Sequence, residues 1–217
     1  MSSVHDILLT LHVLGGFLGL ITGTTAALLK KERGYHSTLG KYFTRSMYLV
    51  AFTGIPLSIL ANNLFVFALA IFTLNMVITG SRAFKGLSKP QRLAMSIFSI
   101  AGALTLLVLG VTALTIHGNL MGLVALTFGT LLTSMGIRDW RIYKGTIRPN
   151  PLNIHINQMG GALIASYTAF LSIGAFRIIT NLGYDPSNWQ ALFWLLPTVI
   201  GSLLLTRANA KYLKKAV

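Results

Sequence analysis

The sequence predicts an all-α integral membrane bundle of seven transmembrane helices, with the N-terminus outside and the C-terminus cytoplasmic. Three observations lead there. Of 217 residues, 53% are apolar and only 10% are charged, against roughly 25% charged in soluble domains, so the chain has too few charges to cover a water-facing surface. Seven apolar windows are each about as long as a hydrocarbon core of roughly 30 Å requires of a helix. The basic residues then fall in every second connection, as the excess of Lys and Arg in cytoplasmic loops demands.

The first window, Ile7 to Leu29, has Asp6 and two histidines where a signal peptide carries its basic region, and its apolar stretch outruns a signal core, so it is expected to stay as a span. Basic residues Lys30, Lys31, Arg33, Lys41 and Arg45 lie between it and the second window, Leu39 to Leu60, or just inside. Asn62-Asn63 makes an uncharged turn into the third, Leu64 to Phe84. Arg82, Lys85, Lys89 and Arg92 separate that from the fourth, Leu93 to Ile116. His117-Gly118-Asn119 turns into the fifth, Leu120 to Ile137, which is followed by Arg138, Arg141, Lys144 and Arg148. The sixth runs from Ile154 to Ile179 and the seventh from Gln190 to Thr206, with Arg207, Lys211, Lys214 and Lys215 closing the chain. Every Lys and Arg except Arg177 thus belongs to one side. Tyr184, Trp189 and Trp194 outside, with Tyr35, Trp140 and Tyr143 inside, read as interfacial belts.

This distribution also explains a formal net charge of +14. A nucleic-acid binder gathers its charge on one soluble face. Here it is spread through short juxtamembrane loops, where it sets topology and attracts anionic lipid of the inner leaflet. Nucleic acid is therefore not an expected partner. Residues 1–217 form one transmembrane domain, with no soluble domain, and the absence of cysteine excludes disulfides, thiolate metal sites and c-type haem attachment. No carboxylate stands mid-span, so a zinc hydrolase or a carboxylate-driven transporter lacks its usual part.

Two packing faces are legible. Gly16, Gly19 and Gly23 share a face with His12, and Gly122, Gly129 and Gly136 recur at sevens in the fifth span. Small residues let membrane helices approach closely, within the chain or between copies of it, so a homo-oligomer through these faces is one expectation. A parallel repeat is another: Gly23 and Gly136 each precede a lysine, Lys31 and Lys144, by eight residues, and each basic loop leads to a histidine, His36 or His155, that opens the next helix.

Polar groups within a membrane are costly, so each is a functional candidate. His12 lies about 9 Å inside the outer boundary. Asn75, Thr79 and Arg82 share one face of the third span, and Arg45 stands just within the second. His36 and His155 open two helices near the inner surface, whereas His117 is in an outer turn. Imidazoles on facing helices can ligate haem iron axially, so His36 and His155 are candidate ligands of a b-type haem, with Arg45, Arg82 and the inner lysines suited to its propionates. The competing reading makes each of these structural: interfacial histidines, an interhelical hydrogen bond from His12, and Asn75 with Thr79 as glue between helices.

Four stretches carry a family resemblance: Leu11-His12-Val13-Leu14-Gly15-Gly16; Lys30 to His36 with Gly40-Lys41-Tyr42-Phe43; His155 to Ala162 with Thr168-Ala169-Phe170; and Trp194 to Gly201. They resemble domain-of-unknown-function family 2306 of predicted bacterial multi-pass membrane proteins, over nearly the whole chain. The resemblance implies a small polytopic inner-membrane protein and makes His12, His36 and His155 part of the pattern. It brings no activity and no cofactor. Three functional readings follow: a histidine-centred ligand or haem site near the cytoplasmic face; a small-solute carrier or channel along Asn75, Thr79 and Arg82, with Pro56 and Pro197 as hinges; and a non-catalytic partner or sensor.

Overall fold

The computed structural model describes residues 2–32 and 34–213, so Arg33, Lys214 and Lys215 of the basic segments lie outside the described residues. It is all-helical, with no strand among those residues: α1 (Ser2–Leu28), α2 (Tyr35–Leu60), α3 (Leu64–Ser81), α4 (Lys89–Thr115), α5 (Met121–Tyr143), α6 (Pro151–Ala169), α7 (Phe176–Asn181) and α8 (Gln190–Leu213). A π-helical segment, Phe170–Ala175, joins α6 to α7 into one continuous rod, so seven rods are long and apolar enough to cross a membrane.

Local chemistry sets the helix starts. Asn63 Oδ1 accepts from the Val66 amide and opens α3, and Asn150 Oδ1 accepts from the Asn153 amide ahead of Pro151 in α6. Before α4 the Gln91 side chain accepts from the Ser88 amide, half of a capping box. The turns after α2 and α4 close on left-handed residues, Asn62 at φ 49° and Gly118 at φ 57°.

α3 stands in the middle. It packs against α2, α4 and α6, while α1 pairs with α2 and α6, α5 with α4, and α8 with α6 and, more lightly, α5. No side chain of α3 from Phe65 to Ser81 is exposed. At 18 residues it spans about 27 Å, short for a lipid-facing helix but sufficient for one walled in by protein. The core around it holds Phe43, Met47, Phe72, Met76, Leu106, Phe128 and Leu132. Trp194 belongs there too: it is buried, edge-on to Phe65 at 5.2 Å and to Phe128 at 6.1 Å. That corrects its assignment to the outer aromatic belt, because Trp194, Thr198 and Gly201 form the inward face of α8. Outward-facing positions are apolar instead, among them Leu14, Phe17, Ile21, Phe52, Val108 and Leu204.

The glycine faces are consumed within the chain. A Cβ on Gly122 would lie 2.6 Å from the Gly110 carbonyl oxygen, one on Gly129 3.0 Å from Leu107 and one on Gly136 2.9 Å from Ile100, so this stripe seats α5 against α4. On α1, Gly15, Gly19 and Gly23 meet Leu49, Met47 and Phe43 of α2, whereas Gly16 has open space beside it. Of the glycines expected to seat a second copy, only Gly16 is left open. The expected repeat is also undone at the level of pairing: α1 and α2 form a close hairpin, but α5 and α6 do not pack along their lengths.

Candidate functional site

His36 and His155 come to the same end of the bundle and are held alike. His36 is the second residue of α2 and continues its inward face, which runs on through Gly40, Phe43, Met47 and Ala51. Its Nδ1 lies 2.9 Å from the Ala26 carbonyl oxygen near the end of α1. His155, the fifth residue of α6, places Nδ1 3.1 Å from the Gly80 carbonyl oxygen near the end of α3, with its ring tilted against Phe84. A carbonyl oxygen only accepts, so Nδ1 of each ring carries the hydrogen and Nε2 of each neutral ring keeps a bare lone pair. Neither Nε2 has a protein partner or is sealed from solvent among the described residues. Lys31 shares the Ala26 carbonyl and also donates to those of Ala27 and Leu29, closing the end of α1. Burial, and then the positive charge of Lys211, hold its ammonium below the ordinary lysine pKa.

Beside His155 lies a buried ionic cluster. Arg92 Nη1 donates to Asp139 Oδ1 at 2.7 Å, with Arg92 only 4% exposed and Asp139 fully buried. Arg138 Nη2 donates to the same carboxylate at 3.2 Å, and in the amide orientation that satisfies both groups Gln158 Oε1 accepts from the Arg138 guanidinium. Gln158 follows His155 by three residues on α6, and a Cβ on Gly80 would lie 2.9 Å from its Cβ. The layer continues inward. Ser96 Oγ donates to the Gly136 carbonyl oxygen, Asn75 Nδ2 to Met95 O and Ser99 Oγ, and Thr79 Oγ1 to Asn75 O. Arg138 Nε and Asn75 Oδ1 are buried without partners.

The other expected site residues scatter. Arg45 follows His36 by nine residues, which at about 100° per residue puts it on the opposite side of α2. There it shares an exposed stripe with Tyr42, Leu49 and Phe52, facing away from the histidines, which corrects its assignment to the ligand site. Arg82 caps α3 just after Gly80 and Ser81 and is exposed at the same end as His155. His12 is in the other half of the bundle, about 24 Å before the end of α1. Its Nδ1 donates at 3.0 Å to Thr53 Oγ1, whose own hydrogen goes to the Leu49 carbonyl oxygen, so it cross-links α1 to α2. Asn75 is buried and bonded to α4, whereas Thr79 is buried with its hydroxyl bonded to carbonyls of its own helix. Two cavities lie elsewhere: one of about 40 Å³ beside Phe72, Phe128 and Trp194, and an apolar groove of about 310 Å³ beside Leu171, Trp189 and Pro197. Neither is lined by Asn75, Thr79 or Arg82. His117 is exposed in its turn.

Arg92, Arg138, Asp139 and Gln158 were not among the candidates that charge and motif reading selects. A signal for them existed: the stripe Gly122, Gly129, Gly136 continues through Asp139 three residues on, and Arg92 opens the complementary row Ser96, Ser99, Ala103, Leu106, Gly110 of α4. No protein-family model matches the chain, and no curated protein and no solved structure is significantly similar to it. The functional reading therefore rests on the geometry of this end of the bundle.

Proposed function

We propose that the chain is a polytopic protein of the bacterial inner membrane whose cytoplasmic end holds a ligand through His36 and His155, with b-type haem the ligand the residues fit best. The observation that carries this is the matched pair of imidazoles, each fixed through Nδ1–H to a helix-end carbonyl with Nε2 bare. Metal-ligating histidines characteristically donate their second nitrogen in this manner, which fixes the tautomer and sharpens the basicity of the other. Two side chains are too few for a bare metal ion: no group of three or more His, Cys, Asp or Glu able to hold one exists among the described residues. Two would suffice to hold an iron whose remaining ligands come from a macrocycle. Gly40, one turn after His36 on the same face, has nothing within 4 Å of where a Cβ would stand, which leaves room beside the ring. When bound, such a group would supply one-electron chemistry. The protein's own part is to orient the two rings and bring positive charge to that end.

The orientation follows the loops, since Lys30, Lys31, Lys85, Lys144 and Arg148 all belong to connections at the end where the histidines are. Their charge attracts anionic lipid of the inner leaflet. The resemblance to family 2306 is the ground for a bacterial inner membrane. Haem titration of detergent-purified protein tests the reading: wild type is expected to give a Soret shift saturating at one equivalent, which His36→Ala or His155→Ala abolishes and His12→Ala leaves intact. Equal binding by all four proteins would contradict it.

A further inference from the structure

The buried cluster carries more positive than negative charge. Arg92 and Arg138 share the single carboxylate of Asp139, and Gln158 adds a neutral acceptor, so one positive charge is left inside the bundle. Arg92 is spent on the 2.7 Å pair. The excess therefore sits on Arg138, whose side chain keeps 23% exposure while its buried Nε–H has no acceptor. A part-buried guanidinium whose Nε–H is sealed without an acceptor is expensive to maintain and lacks one hydrogen-bonding oxygen. Gln158, the neutral acceptor of this corner, follows His155 by three residues on α6.

We infer that Arg138 forms an anion subsite of the histidine site, taking a carboxylate or phosphate group of the ligand. This rests on the ligand-site reading above, and its test separates the two. Arg138→Gln removes the excess charge while leaving Asp139 neutralised by Arg92, and Arg138→Lys keeps the charge without the fork. The first readout is the unfolding temperature of the purified chain in a neutral detergent with inorganic phosphate, or with phosphatidylglycerol, each against chloride at matched ionic strength. A rise of a few degrees is expected for wild type, largely kept by Arg138→Lys and absent in Arg138→Gln. A rise with phosphatidylglycerol alone assigns the anion to a lipid headgroup. The second readout compares haemin with its dimethyl ester, which offers the same iron and ring without acids. Wild type is expected to bind haemin about tenfold more tightly than the ester and Arg138→Gln to bind both alike.

No anion-specific rise, together with equal affinity for acid and ester, overturns the inference while leaving the haem reading standing. An anion-specific rise without binding of either macrocycle upholds the subsite and removes the haem. Neither rise nor binding removes both.

Discussion

Asp139 is the residue on which most depends. A carboxylate that is fully buried is neutralised here by the 2.7 Å pair with Arg92, with Arg138 as a second, longer contact. Breaking a buried pair by removing one partner costs about 3–5 kcal/mol, whereas replacing both partners by apolar groups of similar volume is often close to neutral. Asp139→Asn is therefore expected to lower the unfolding midpoint sharply in detergent, and Arg92→Met with Asp139→Leu to recover most of the loss. A single variant as stable as wild type would show that the pair does not hold α4 to α5. His12 is the contrasting case. Thr53→Val removes its acceptor and is expected to cost about 0.6 kcal/mol, up to roughly 1.5, the range of interhelical hydrogen bonds in membranes. It should leave ligand binding unchanged. His36 and His155 were legible because a histidine next to a basic loop is conspicuous, but their common tether was not. Ala26 and Gly80 accept through backbone oxygens, which no residue type announces. Asp139 was hidden differently, because a charge beside Arg138 reads as a loop residue until the helix is known to continue past it.

At the scale of elements, the fit of α5 against α4 rests on hydrogen atoms where side chains would stand. A Cβ on Gly122 meets a backbone oxygen at 2.6 Å, and backbone in a helix cannot step aside. Gly122→Ala is expected to destabilise by about 1–3 kcal/mol through overpacking. Gly16→Ala, with nothing within 4 Å, should be neutral or gain up to about 1 kcal/mol from helix propensity. Thermal unfolding of the two variants side by side checks this, and similar losses in both would contradict the packing described. The seven spans themselves were readable from hydropathy; α1 begins earlier than expected, at Ser2, and α3 ends earlier, at Ser81, but four other shifts have one cause. The window ending at Ile137 continues as helix to Tyr143, that ending at Thr206 to Leu213, and those opening at Leu39 and Leu93 begin at Tyr35 and Lys89. Each extension is at the basic end. Hydropathy marks where the hydrocarbon stops, but Lys and Arg are good helix formers whose stems reach along the apolar surface, so the helix carries on through the interface. The π-helical segment Phe170–Ala175 left no such mark in its sequence, since all six of its residues suit an ordinary apolar helix.

At the scale of the whole molecule, α3 at the centre explains why Asn75 and Thr79 are tolerated: they face protein on every side and never lipid. What surrounds α3 could not be read from one sequence, because the order of helices around a bundle depends on shape complementarity between faces distant in the chain. The orientation is open to direct measurement. With no native cysteine, single cysteines at Ser187 and Lys144 report opposite ends. In intact cells an impermeant thiol reagent is expected to label Ser187→Cys and spare Lys144→Cys, and the reverse pattern would invert the topology. The central claim is that the two tethered imidazoles at the basic end hold a ligand of the haem class. The most direct measurement is the absorption spectrum, oxidised and dithionite-reduced, of protein purified in mild detergent from haem-replete cells, with metal analysis of the same sample. Wild type is expected to show a Soret band with sharp reduced bands and one iron per chain, lost in His155→Ala. A colourless, metal-free sample would contradict it.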